Sequence, residues 1–160
     1  SGVRFRSTDY TIFMVAKNST QPGQNRTLLL TWGNQSEAGQ TLRIGLQGDE
    51  AIFVSHGEGL KLDADTRGLT QFATKLYTFR FSQTEGMQIY VNGILSAEDP
   101  NFKRPIESFS GAMLGIADEN GAILTDVSAV FLSEFKVVGT ALNELVRSEE
   151  EEKIMLEYGI

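Results

Sequence analysis

Cysteine is absent from this 160-residue chain. That excludes disulfides and thiolate metal sites, and leaves the redox compartment open. Histidine is nearly absent too. The single one, His56, has no flanking motif that would build a nucleophilic triad or an imidazole metal site. Basic charge is scarce: 14 Lys and Arg face 21 Asp and Glu, for a net charge of −7. A nucleic-acid binder carries a basic face, so nucleic acid is not the expected partner. Long apolar runs are missing, so no segment reads as a membrane span, and no signal-peptide pattern opens the chain. Proline is rare, at three residues, and tryptophan occurs once.

What is present is strand. Tyr10–Lys17 (YTIFMVAK) is apolar on both faces, as in a central strand covered on both sides. Thr27–Trp32 follows a loop rich in turn residues. Thr41–Gln47 alternates, with Leu42, Ile44 and Leu46 on one face and Arg43 and Gln47 on the other. Ala51–His56 follows a Gly-Asp turn. Lys75–Ser82 sets Tyr77, Phe79 and Phe81 against Thr78, Arg80 and Ser82. In TEGMQIYVNGIL, residues Met87, Ile89 and Val91 point inward, and Asn92-Gly93 is a hairpin turn. Gly111–Ala117 and Ala129–Val138 complete the strands. The period then changes. Asn143 caps a helix over Glu144–Glu157, with Glu149 and Lys153 spaced for an ion pair and the run Glu149–Glu152 as a solvated acidic face. Sixteen glycines and many short strands at close spacing indicate an all-β, antiparallel two-sheet jelly-roll sandwich with a short C-terminal α-helix. Residues 1–160 read as one domain, excised from a larger protein.

The order of these segments carries a resemblance. DYTIFMVAK, then LYTFRFS with MQIYVNGIL, then LSEFKVVGTALN with a Glu-rich helix ending LEYGI, resembles the concanavalin A-like lectin and glucanase superfamily. Within that superfamily it resembles laminin-G-like jelly-roll domains of bacterial or phage surface proteins. That family places a Trp-His or similar pair where Leu76-Tyr77 stands here, so no role is carried over from it. The resemblance implies a concanavalin A-like fold. It also implies a carbohydrate- or cell-surface-binding module in an extracellular, cell-surface or virion protein, among other domains of its parent. A structural spacer or assembly domain of an adhesin or tail fibre is the alternative, and a glycoside hydrolase is third.

Three kinds of chemistry can be tested on the residues. Retaining glycosidases hold two carboxyls about 5–5.5 Å apart. The glucanase branch arranges them as E-x-D-x-x-E, which this chain lacks. Glu134 has Lys136, not a second carboxylate, at its next same-face position. The chain is therefore not expected to be an enzyme. Calcium is a candidate cofactor through Asp63 with Asp65, or Asp118, Asn120 and Asp126. The stretch Asp63–Gly68 imitates an EF-hand loop but has Thr74 where glutamate is needed, and Asp and Asn are also plain turn formers. Sugar binding needs a flat aromatic and planar polar groups. If the apolar alternates face the core, Arg43, Arg80, Gln88 and Tyr90 face outward as the candidate ligand-binding set. Asn92 belongs to the turn. His56, beside Gly57, reads as a surface or capping residue, and Trp32 as core. The three Asn-x-Ser/Thr sequons at Asn18, Asn25 and Asn34 read as turn composition.

Overall fold

A computed structural model of the chain describes residues 9–18, 26–33, 41–47, 51–57, 59–66, 73–106, 112–117 and 130–160. The elements in chain order are β1 (Tyr10–Asn18), β2 (Arg26–Gly33), β3 (Thr41–Gln47), β4 (Ala51–His56), β5 (Lys61–Asp65) and β6 (Thr74–Ser82). They are followed by β7 (Gly86–Val91), β8 (Ile94–Asp99), β9 (Ala112–Ala117), β10 (Val130–Val138) and α1 (Glu144–Tyr158). One five-stranded sheet runs β10-β1-β6-β7-β8 and the other β5-β4-β3-β2-β9. The strand pairings are antiparallel. The protein is a β-sandwich with one C-terminal helix.

Strict alternation makes the sandwich. Ile12, Met14, Phe79, Phe81, Met87 and Ile89 of the first sheet meet Leu30, Leu42, Ile44, Leu46, Ile52 and Val54 of the second in one buried core. Removing that apolar area from water, at about 25 cal/mol per Å², is the main force holding the sheets face to face. The inward residues expected from alternation in β3, β6 and β7 are all in this core.

The first sheet is covered on its other face as well. Phe13 and Val15 of β1 and Leu76 of β6 pack against Ile154 of α1, with Met155, Tyr158 and Ile160 beside them. This explains why β1 is apolar on both faces: it lies between β10 and β6 under the helix. The helix is stopped at both ends. Asn143 Oδ1 accepts from the Val146 N–H at 3.0 Å, and Gly159 adopts a left-handed conformation (φ 67°) whose N–H returns to Met155 O.

The acidic run is not a uniform solvated face. Glu151 is buried and paired with Arg147, one helical turn earlier. Glu150 pairs with Lys136 of β10. Lys153 lies 3.9 Å from Glu150, not on the expected Glu149. The tertiary partner on β10 and the core-facing angle of α1 override simple helix spacing here.

Candidate functional site

His56 and the Asp63–Asp65 pair stand differently from the sequence expectation. His56 is fully buried, not a surface residue. Its Nδ1 donates to Arg104 O at 2.7 Å and its Nε2 lies 2.6 Å from the Tyr10 hydroxyl. A carbonyl can only accept, so Nδ1 carries the proton and Nε2 accepts from Tyr10. Arg104 in turn donates to His56 O at 2.8 Å. The ring stacks edge-on against Phe81 and Phe102. Burial, and secondarily the Arg104 charge, pull its pKa down to about 4, against the opposing hydrogen bond to Arg104. Asp63 and Asp65 lie within strand β5, not in a loop, and Asp63 is paired with Lys61. Among the described residues no group of three or more His, Asp or Glu could hold a metal ion. Asp118, Asn120 and Asp126 lie outside the described residues, as do Asn25, Asn34 and the Trp32 side chain.

The candidate sheet-face residues divide. Arg80, Gln88 and Tyr90 come together. Arg43 does not join them: β3 belongs to the opposite sheet, where Arg43 stands between Thr31 and Ser55. The alternation rule places each side chain on a face of its own sheet but does not say which sheet a strand joins.

Arg80, Gln88 and Tyr90 line a cavity of about 570 Å³ between the first sheet and the N-terminal turn of α1. Each arrives for a local reason. Arg80 and Gln88 are cross-strand partners, and so are Thr78 and Tyr90. Alternation therefore stacks Gln88 and Tyr90 on one face. Leu95 of β8 sits opposite Tyr90 and adds a half-exposed apolar patch. The turn before β7 brings Glu85, and the helix brings Asn143, Glu144 and Arg147.

Arg80 is almost entirely engaged. Its Nε donates to Leu142 O at 2.6 Å and Nη1 to Gln88 Oε1 at 3.0 Å, while Nη2 pairs with Glu85. One guanidinium thus joins β6, β7, their turn and the segment leading into α1. Tyr90 is buried, and the Arg147 guanidinium lies 3.6 Å from its ring centre. That face of the ring is taken, so Tyr90 is a wall of the cavity and not an open stacking platform. Burial pushes its hydroxyl pKa up. Beneath the helix, Thr78 Oγ1, Arg147 Nε and Glu151 Oε1 are buried without hydrogen-bond partners.

Sequence reasoning did not reach Arg147, Glu144, Glu85 or Leu95 as cavity residues. One signal was available. Arg147, Glu151 and Ile154 recur at helical spacing, which marks the face of α1 that turns inward.

No protein-family model matches this chain, and no curated protein matches it. Solved structures do. The chain is similar to the botulinum neurotoxin serotype G binding domain, with a TM-score of 0.74 and 15% identity over 93% of this chain and 37% of that one. It is similar to the Ruminococcus gnavus IT-sialidase CBM40, with a TM-score of 0.69 and 14% identity over 89% of this chain and 82% of that one. The same CBM40 is known bound to α2,3-sialyllactose, with a TM-score of 0.67 and 12% identity over 91% and 84%. The chain thus spans little more than a third of the toxin binding domain. At these identities the likeness defines the fold: a β-sandwich of the kind found in carbohydrate- and receptor-binding domains.

Proposed function

We propose that this chain is a non-catalytic carbohydrate-binding module, concanavalin A-like and laminin-G-like in type, serving a larger extracellular, cell-surface or virion protein. The single observation that carries the reading is the cavity. It gathers Arg80, Gln88 and Tyr90 with Asn143, Glu144 and Arg147 in a space of about 570 Å³. That volume accommodates one or two sugar rings by the usual dimensions of ligand sites. The fold neighbours support it, since they are binding domains and one is known with a bound sugar. The experiment is a glycan array probed with the intact chain, with and without EDTA. Retention of a defined glycan, weakened by Gln88→Glu with the melting temperature kept, is the expected result. No retention at high protein concentration would sink the reading.

A structural spacer or assembly role has one observation in its favour. The Arg80 donors and one face of Tyr90 are already committed within the fold. An array without signal, together with unaltered melting on adding calcium, would select that role.

A further inference from the structure

Resting on the proposed sugar site, we infer that its ligand is an uncharged, hydroxyl-rich glycan and that acidic sugars are excluded. The charge state of the cavity carries this. Two guanidiniums line it, and each is already ion-paired within the fold: Arg80 with Glu85, and Arg147 with Glu151; the Arg147 Nε that has no partner is itself buried. Glu144 adds a carboxylate that has no partner among the described residues. The cavity and its paired acids therefore hold one net negative charge. At Arg80 an incoming carboxylate would only replace the pairing of Glu85, whose side chain is 60% exposed, and would add to the net negative charge; at Arg147 it would have to displace Glu151, which is fully buried. Leaving that carboxylate buried and unpaired costs far more than the new contact returns.

The groups left over suit hydroxyls. Gln88 gives its Oε1 to Arg80, which leaves its amide N–H groups to donate. Asn143 uses only Oδ1 in capping, and its amide N–H groups remain. The Glu144 carboxylate accepts. A sugar hydroxyl both donates and accepts, so neighbouring hydroxyls can be held between these amides and that carboxylate. Leu95, 44% exposed, supplies the apolar surface for a C–H face that Tyr90 cannot.

The test uses an array of immobilised gluco-, galacto- and manno-configured neutral oligosaccharides beside glucuronate-, galacturonate- and sialic-acid-capped counterparts. The intact chain is applied at low and high salt. The expected result is retention by a neutral member, at least about tenfold weaker binding to its acidic counterpart at low salt, and a smaller gap for Glu144→Gln. Gln88→Glu keeps the acceptor for Arg80 and removes the amide donor, so it should weaken neutral binding by about tenfold with the fold intact. Equal or tighter binding of acidic members overturns the inference and leaves the sugar reading standing. Neutral binding that ignores both variants places the glycan elsewhere and overturns it too. No binding by any member overturns both.

Discussion

His56 stands neutral between two sheets, joined to β1 through Tyr10 and to the stretch before β9 through Arg104. Its folded pKa of about 4 lies below the ordinary 6.5. The unfolded chain therefore takes up a proton in that window and the folded chain does not. Stability is full above pH 6.5 and falls as pH drops toward 4, by roughly 3 kcal/mol in all. Urea denaturation at pH 7 and pH 5 should show the decline. His56→Gln should cost stability at pH 7, and its deficit relative to the parent should shrink at pH 5. A deficit unchanged with pH would refute the linkage. The histidine was misread from sequence because its partners are remote: Tyr10 is 46 positions away and Arg104 is 48. A His-Gly pair at a strand end carries no trace of them. Asn92 was legible for the opposite reason. Its positive φ of 51° is a local turn requirement. It does more than turn, because its Oδ1 accepts from the Leu76 N–H and its own N–H donates to Leu76 O.

At the scale of elements, the β6–β7 hairpin is the part that fixes the cavity, since it carries Arg80, Glu85, Gln88 and Tyr90. Its hinge point is Gly86, with φ of 96°. A Cβ there would collide with Asp99 O and stand 2.7 Å from Pro100 Cα, both backbone. Neither atom can yield without shifting the β8 end. Gly86→Ala should therefore destabilise by about 2 kcal/mol or more through strain and positive φ together, read from the urea midpoint; a loss below about 0.5 kcal/mol would contradict the clash. Most elements were legible. Strands β3 and β4 match the sequence reading residue for residue, and the Asn143 cap stands where its side chain predicted it. Strands β5 and β8 were missed. Lys61–Asp65 presents two aspartates, which read as a turn, and Ile94–Asp99 is an exposed edge strand with little alternation. Edge strands are half-solvated, so their sequences carry less of the pattern that burial imposes.

For the whole molecule, the site depended on facts that no local pattern holds. Which strands share a sheet decided that Arg43 stands apart from Arg80. Where α1 docks decided that Arg147 closes over Tyr90. Both follow from long-range pairing, as do β1 with β10 and β1 with β6. A sandwich built from such distant contacts pays its loop-closure entropy before its contacts form. Refolding monitored by stopped-flow circular dichroism should therefore occupy milliseconds to seconds. A microsecond phase that recovers the full signal would contradict this topology.

The place of β1 between β10 and β6 also bears on synthesis at the ribosome. Phe13 and Val15, synthesised well before α1, are covered only when that helix, starting at residue 144, has emerged. At about 5–20 residues per second, that interval is on the order of ten seconds. During it the nascent chain carries an apolar strand with one open edge. Slowing or pausing translation between β1 and β10 would lengthen the exposure, so the yield of native protein in a cell depends on elongation rate and on chaperones that shield β1 until the last strand arrives.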